Sequence, residues 1–535
     1  MFKKKQLEIL VSTLIVTGLI IGGYRLLLNG GEFMLRQGEL GEVFLDRMFY
    51  LGWSIIFYLL VLSNLVTGFS TFYRSPEVAF LFTLPLEASQ IFKVKFTENL
   101  VYSSWAILIL GIPMTLAYGE LQGLGNLAYI TVFITGILPF LFIATVSAAV
   151  LLMILVYLSR FFKLRTLFIS LGLIFTGLFY LYFTVSQQDT VVGGQLGNFR
   201  ALGRYMANLS SQPFPLIPSY WLSQLFLDVE ALGWVERLYY SALFITTALV
   251  GWELSLWVAK KGYFSTYQIM ERHGSSTIRQ GMNRLFGFSY LGLPNPMRAV
   301  VSKDLVQFLR TPQQWVQFLL MGFFISIYLI NLSRGRVHFH DLLPFWQTAI
   351  YVFNFGFTGF IMAALTARFV YPMVSMEGRS LWMLQMSPFS IGQVFKEKFW
   401  LAFFSLFTVA EVVVMASNYF LGLQAEIALI ASGFMLMTSL ALISLSLGLG
   451  AVYAQFNEPN PMKVSSGYGG IISIVLSLIY VSFSVFGLVV VIRQFQVGGG
   501  LFLVGMVVAF VVLLTGLYTW LPLRWGLRAL STYEP

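Results

Sequence analysis

Apolar runs long enough to cross a lipid bilayer recur along the whole of this 535-residue chain. A transmembrane helix needs roughly 20 apolar residues to cross about 30 Å of hydrocarbon. Runs of this kind lie at residues 7–28, 48–72, 99–118, 127–157, 166–186, 238–259, 315–332, 345–371, 400–421, 426–453, 468–492 and 500–521. Each is expected to be a helix, because backbone amides in lipid must be satisfied within the segment and no run alternates like a barrel strand. With 58% hydrophobic and 10% charged residues, the chain is predicted to be an all-α polytopic membrane protein with about 12 transmembrane helices.

One stretch between apolar runs occurs twice. Residues 73–96 align with residues 376–399 at a constant offset that places Pro85 on Pro388. At that offset Gln90, Phe92, Lys93, Lys95 and Phe96 fall on Gln393, Phe395, Lys396, Lys398 and Phe399. Six identities in twelve positions indicate an internal duplication. Because each half has six predicted spans, the halves are expected to be two parallel six-helix repeats.

Lysine and arginine are distributed unevenly between the predicted loops. If the amino terminus is cytoplasmic, 24 of the 33 basic residues fall on the cytoplasmic side. This bias predicts that both termini and both copies of the repeated stretch are cytoplasmic. It also explains the net charge of +10 by membrane topology, so no nucleic-acid partner is expected and the lipid bilayer is the expected environment.

The predicted halves are unequal at their edges. The first half takes residues 1–260, a cytoplasmic linker residues 261–296, and the second half residues 297–535. The second half opens with apolar residues at helical spacing from Met297 to Arg310, preceded by Asn295 and Pro296 as a helix start, which predicts an amphipathic helix lying on the membrane surface. Residues 214–226 are apolar but too short to span, and they are expected to re-enter the outer leaflet or pack on helix ends.

The repeated stretch contains a short segment that follows the second span of each half. Ser75, Pro76 and Glu77 form a typical helix start, with a capping hydroxyl, a proline in the first turn and an acid at the positive end of the helix dipole. Two interpretations are open: a surface gripped by a partner, or an amphipathic helix that packs on neighbouring loops. The candidate docking residues are Pro76, Glu77, Phe80, Phe82, Glu377, Arg379 and Trp382.

Two acids lie within apolar runs. Glu253 and Glu411 are costly in lipid, so each is a candidate for cargo binding or proton relay, or is satisfied by a neighbouring helix or headgroup. His338, His340 and Asp341 are better explained as a polar turn than as a metal site, because a second ligand cluster is lacking. The chain has no cysteine, and no metal site is predicted.

The repeated stretches resemble those of ABC-2-type (type V) ABC transporter permeases, in particular bacterial ABC exporters whose two six-helix halves are fused. The similarity also takes in residues 303–319 and 456–481. It implies that residues 76–83 and 377–386 are coupling helices, that residues 297–310 are an elbow helix, and that residues 214–226 belong to an external gate. It also implies the bacterial cytoplasmic (inner) membrane as the location.

The sequence contains no G-x4-GK[ST] loop and no Gly-Lys dipeptide, which the usual phosphate cradle requires. The resemblance therefore implies a permease without enzymatic activity and with no cofactor in this chain. Two separate ABC ATPase subunits would bind ATP-Mg, dock on the coupling helices and drive export by alternating access.

An alternative is a 12-helix major-facilitator secondary transporter, which shares the two parallel halves. Such proteins usually carry a basic G-x3-D-[RK]-x-G turn after the second helix, where this chain reads YRSPEVAF. A membrane-embedded lipid-processing enzyme would need clustered acids or histidines at one interface, and none is found in the sequence. The sequence does not specify the cargo.

Overall fold

The computed structural model describes most of the chain as helix. It describes residues 2–36, 39–162, 216–226, 234–273, 295–310, 312–339, 344–386, 390–458, 461–497 and 501–532, and scattered positions between 166 and 177. No strand occurs in these residues. The all-α prediction is therefore confirmed for the described part of the chain.

The first half begins with three long helices, and a short helix lies between the second and the third. These are α1 (Phe2–Leu35), α2 (Glu39–Tyr73), α3 (Pro76–Leu81) and α4 (Ala88–Leu121). A π-helical turn at Phe133–Ile137 then joins α5 (Asn126–Val132) to α6 (Leu138–Leu158), and α7 (Pro218–Phe226) and α8 (Trp234–His273) follow. The predicted re-entrant stretch thus contains a helix, α7, whose apolar residues are buried against α2.

The second half repeats the pattern of long helices with a short segment between two of them. It contains α9 (Asn295–Arg310), α10 (Pro312–Phe339) and α11 (Pro344–Leu365), which continues through a π-helical turn (Thr366–Val370) into 3-10 segments (Tyr371–Met373 and Ser375–Ser380). The remaining helices are α12 (Leu381–Gln385), α13 (Ile391–Leu421), α14 (Ala425–Val452), α15 (Pro461–Ser465), α16 (Tyr468–Val497) and α17 (Leu501–Ser531). The helix predicted from Asn295 is present as α9.

Eight helices of the described residues are long and apolar enough to cross a membrane. They are Met48–Tyr73, Asn126–Leu158, Val235–Glu271, Ile350–Gly378, Ile391–Leu421, Ala425–Val452, Tyr468–Gln494 and Phe502–Ser531. The predicted runs 7–28, 99–118 and 315–332 lie in α1, α4 and α10, which are not among the eight, and most of run 166–186 lies outside the described residues. The predicted count of twelve is therefore not confirmed.

Each half has its own apolar core. In the first half, α2, α4, α6 and α8 enclose aromatic residues such as Phe92, Phe96 and Tyr263. In the second half, α11, α13, α14, α16 and α17 surround a larger cluster. Met462 of α15 packs against the core of the first half, so the second half contacts the first through this short helix.

The tightest helix pair in the described structure is α14 with α17. A Cβ placed on Gly448 would lie 2.3 Å from the carbonyl oxygen of Pro522. Gly526 faces the same spot, where its Cβ would lie 2.9 Å from the carbonyl oxygen of Gly448. Small residues allow such close backbone approach between membrane helices, where dispersion contacts replace a hydrophobic driving force.

We expect Gly448→Ala to destabilise the protein by about 1–3 kcal/mol, because the new methyl group meets rigid backbone. Gly433→Ala is the matched control, since it lies on the same helix with open space around its Cβ position. Apparent melting temperatures of both variants in detergent, measured by size-exclusion chromatography after heating, check this. Equal melting temperatures would show that α14 and α17 are not packed this closely.

Candidate functional site

Two short segments stand at matching positions in the two halves. The first short segment is α3 (Pro76–Leu81), which connects α2 to α4. The second short segment comprises Ser375–Ser380 and α12 (Leu381–Gln385), and connects α11 to α13. Each follows a helix that is long and apolar enough to cross a membrane.

The first short segment is a helix of 6 residues. Ser75 is in extended conformation, with φ −71° and ψ 129°, and Pro76 takes the first helical position, where its missing N–H is not needed. The Ser75 hydroxyl makes no capping hydrogen bond, so the predicted side-chain cap does not form. Just after the segment, the hydroxyl of Thr83 donates to the carbonyl oxygen of Phe80 at 2.7 Å.

The second short segment is bent by glycine. Gly378 has φ 54° and ψ −140°, a conformation that residues with a Cβ rarely adopt, and it kinks the chain within Ser375–Ser380, before α12. The hydroxyl of Ser375 accepts a hydrogen bond of 3.0 Å from the backbone N–H of Gln455. This bond ties the start of the segment to the loop after α14.

The repeated glutamine begins a long helix in both halves. Gln90 and Gln393 occupy the third position of α4 and α13, and each accepts from the backbone N–H of the capping residue, Glu87 or Ser390, at 3.1 Å. Both helices thus begin with a capping box, which satisfies backbone donors that would otherwise be orphaned. The repeated phenylalanine is also structural, because Phe92 and Phe395 are buried in the cores of their halves.

The repeated lysine holds each short segment to the helix that follows it. In the first half, Nζ of Lys95 lies 2.7 Å from Glu77 on α3 and 2.8 Å from Glu98 on α4. Lys95 is buried, whereas the Glu77 side chain is 62% exposed. This ion pair is the first anchor.

The first anchor is ionised at neutral pH. The hydrogen bond and charge of Lys95 lower the pKa of Glu77. Burial alone would lower the pKa of Lys95, but its hydrogen bonds with Glu77 and Glu98 outweigh burial and raise it. The contribution of Glu77 to stability is therefore present above its ordinary pKa and is lost as the pH falls through its lowered value.

In the second half, the equivalent lysine is part of a buried network. Nζ of Lys398 lies 2.6 Å from Glu377 and 2.6 Å from Asp304, and Nζ of Lys303 lies 2.7 Å from Glu377. Gln307 adds a hydrogen bond of 3.1 Å to the carbonyl oxygen of Met376. This second anchor fixes the second short segment to α9 and α13 at once.

The two short segments border the same part of the structure. Lys463 of α15 acts electrostatically on Glu77, so α15 lies near the first short segment. The loop before α15 supplies Gln455 to the second short segment. Gln455 and the nearby α15 thus lie beside the two segments, which places the segments at the same end of the helices.

Large apolar side chains project from both short segments. Phe80 is 64% exposed and Trp382 is 50% exposed. Met383 and Met386 are also exposed on the second segment, and Leu84 and Leu86 follow the first. Exposed apolar groups concentrated on two segments at one end of the molecule are typical of an interaction surface.

The other predicted docking residues have different surroundings. Phe82 packs against Tyr263, Phe264 and Tyr267 of α8, with ring centroids 4.8 to 5.4 Å apart. Glu377 is buried in the second anchor, so in the chain alone it supports the segment instead of presenting a surface. Pro76 and Arg379 lie in the segments, but their side chains fall outside the described residues.

The two intramembrane acids lie apart from the short segments. Glu253 is exposed on α8. Glu411 lies on α13, and its Oε2 is buried without a hydrogen-bond partner in the described structure. A role for either stays a prediction. His340 and Asp341 lie outside the described residues, and no group of three or more metal-ligating residues occurs in the part that is described.

Lys303 and Asp304 are functional candidates that the sequence analysis missed. The sequence predicts them only as part of the amphipathic helix between Met297 and Arg310. The repeat did point to their partner, since Lys398 aligns with Lys95. A buried lysine in both halves requires carboxylates nearby, but the sequence does not reveal which ones.

Comparison with known proteins identifies a matching family. A family model described as "Putative ATP-binding cassette" matches residues 2–534. No curated protein and no solved structure matches the chain.

The family match corrects several predictions. The prediction of an ABC-2-type permease is wrong, because the matching family is described as an ATP-binding cassette. The predicted function as a permease without an ATPase, and the major-facilitator alternative, are wrong for the same reason. The predictions of no enzymatic activity and of no cofactor in this chain are also wrong, since the description assigns ATP binding to chains of this family. These predictions relied on a missing phosphate-loop motif and on motifs of moderate specificity.

The described residues do not form the usual ATP-binding site. That site needs a glycine-rich loop between a strand and a helix, with a lysine that reaches the phosphates. The described residues contain no strand, and the sequence contains no Gly-Lys dipeptide. No mechanistic step through a nucleotide bound to this chain therefore follows from its geometry.

The residues matched by the family model include both short segments. The match covers both anchors, both capping boxes and α9, and it supports a place in ABC transport. The long apolar helices are consistent with insertion of the chain in a membrane. Because the match extends over nearly its whole length, the chain belongs to the family described as "Putative ATP-binding cassette".

Proposed function

We propose that this chain is a membrane-embedded part of an ATP-binding cassette transport complex, and that its two short segments are docking sites for the ATPase subunits of that complex. One observation carries the proposal. In both halves a short segment with an exposed aromatic side chain is bound by a carboxylate–lysine pair to the eighth residue of the next long helix.

The proposal includes an arrangement of the chain in the membrane. Twelve spans would form two parallel six-helix halves, residues 1–260 and residues 297–535, joined by residues 261–296. The membrane would be the bacterial cytoplasmic membrane, with both termini and both short segments in the cytoplasm. The supporting observation is the concentration of 24 of the 33 basic residues on one side.

The anchors give the docking segments a mechanical role. A subunit bound to Phe80 and Trp382 would move the short segments when it changes conformation. Because Lys95 belongs to α4 and Lys398 belongs to α13, the displacement would pass directly to those helices. Movement at the docking surface would thus reach the interior of the membrane through two charged contacts.

Docking predicts a strong effect of the exposed aromatic residues. We expect the double variant Phe80→Ala and Trp382→Ala to bind ATPase subunits about 1,000-fold more weakly, because aromatic anchors contribute about 2 kcal/mol each at interfaces. Co-purification from native membranes, followed by ATPase assay of the purified complex, measures this. Phe161→Ala is the matched control, since Phe161 is an equally exposed aromatic residue beyond the end of α6. Unchanged co-purification, or ATP hydrolysis by the chain alone that is the same in variant and wild type, would contradict docking.

The anchors predict unequal effects of the same substitution in the two halves. We expect Glu377→Gln to destabilise the protein by about 3–5 kcal/mol, because it leaves two lysines with one fewer carboxylate in a buried network. Glu77→Gln is expected to cost about 0–1 kcal/mol, because the Glu77 side chain is largely exposed and Lys95 keeps Glu98. Apparent melting temperatures of the two purified variants measure the difference. Similar shifts would mean that the two anchors are equally buried.

A further inference from the structure

A cavity of about 250 Å³ lies beside the second anchor. It is enclosed by α9, α10, the end of α11 and α13. Most of its wall is apolar, formed by Leu305, Met373, Met376, Leu401 and Leu406, among others. Small-molecule sites are typically concave and mostly apolar, with a few polar groups that fix orientation.

The polar end of the cavity is formed by Asp304 and Lys398. Asp304 is only 8% exposed, and its Oδ2 is bonded to Lys398 at 2.6 Å. Its Oδ1 has no hydrogen-bond partner in the described structure, although Nζ of Lys303 lies 3.1 Å away without the alignment of a hydrogen bond. A buried carboxylate oxygen that lacks a well-aligned donor is available to a ligand.

A second acid is buried beside this group. Glu397 is 5% exposed, and neither of its carboxylate oxygens has a hydrogen-bond partner in the described residues. It interacts electrostatically with Asp304, Glu377, Lys398 and Lys303. Arg368 is next to the cavity residue Phe369 in the chain, and its Nε lies 3.1 Å from the side-chain amide of Gln317.

Glu397 has no counterpart in the first half. It aligns with Val94, whose side chain is exposed. The buried lysine is thus repeated, but this buried carboxylate is not.

Three phenylalanines line the same cavity. Phe308, Phe318 and Phe369 contact one another edge to face, with ring centroids 5.9 to 6.2 Å apart. The faces of aromatic rings attract organic cations. The cavity therefore combines an aromatic, apolar wall with a buried carboxylate at its polar end.

We propose that this cavity binds an amphipathic organic ammonium ion, with its cationic group at Asp304 and its apolar body among the three phenylalanines. The ammonium group of the ligand donates a hydrogen bond to Oδ1 of Asp304, which has no hydrogen-bond donor in the described structure. Its source is either a free amine or the ammonium headgroup of a lipid. The site does not depend on docking of ATPase subunits and goes beyond it.

The probe is benzylammonium, titrated calorimetrically into the full-length protein in nanodiscs that contain phosphatidylglycerol. We expect saturable binding of this cation and none of the similarly shaped anion phenylmethanesulfonate. Asp304→Asn is expected to weaken binding of the cation about tenfold or more, because it removes the carboxylate at the polar end of the cavity. Equal binding of cation and anion, no binding of the cation, or an unchanged affinity in this variant would overturn the proposal.

A second pair of variants locates the bound cation. Ser405 lines the cavity, and Thr408 lies one turn further along α13; both are exposed and donate only to backbone carbonyl oxygens of their own helix. We expect Ser405→Phe to reduce affinity about tenfold or more by filling the cavity, and Thr408→Phe to leave it unchanged. Equal affinities in the two variants would place the cation elsewhere. At equal phosphatidylglycerol content, weaker apparent affinity in nanodiscs that also contain phosphatidylethanolamine than in those that contain phosphatidylcholine identifies a lipid headgroup as the competing ligand, and equal affinity identifies a free amine.

Discussion

The arrangement of both short segments depends on a lysine that is buried near the start of a long helix. A buried ammonium group is tolerated only when carboxylates compensate its charge. For Lys95 and Lys398 the carboxylate comes in each case from the short segment that precedes the helix. The charge requirement of one side chain therefore fixes the position of a whole segment. The capping box at the start of the same helix fixes the direction in which the chain enters it.

The two halves compensate the charge of the buried lysine with different carboxylates. Lys95 is compensated by Glu77 and Glu98, and one of these faces water. Lys398 lacks an acid at the position of Glu98, where the second half has Leu401. Asp304 of α9 takes that role, and α9 has no described counterpart in the first half. The amphipathic helix is thus part of the electrostatic balance of the second half, and the halves differ in the burial of their anchors although their repeated residues agree.

The sequence predicts the positions of these elements better than their contacts. Helical spacing and Asn295 locate α9, and the duplication locates both short segments together with Gln90 and Gln393. The contacts could not be predicted, because the acids that meet Lys398 are 21 and 94 residues away along the chain in α11's extension and in α9. The repeat also favoured Glu377 as a surface residue, but burial of Lys398 draws it inward. Phe82 is similar: its exposure depends on α8, which is remote in sequence.

The cavity and the second short segment share their charged residues, so events at one are linked to the other. Asp304 lines the cavity and also holds Lys398, and Lys398 holds Glu377 of the segment. A cation at Asp304 competes with Lys398 for that carboxylate, which shifts more of the lysine's charge onto Glu377. Such a ligand therefore alters the strength with which α13 holds the second segment. By thermodynamic linkage, a partner that displaces the second segment must change the affinity of the cavity for the cation by the same factor. The first half, whose anchor has no adjoining α9 and no counterpart of Glu397, has no equivalent of this coupling among its described residues.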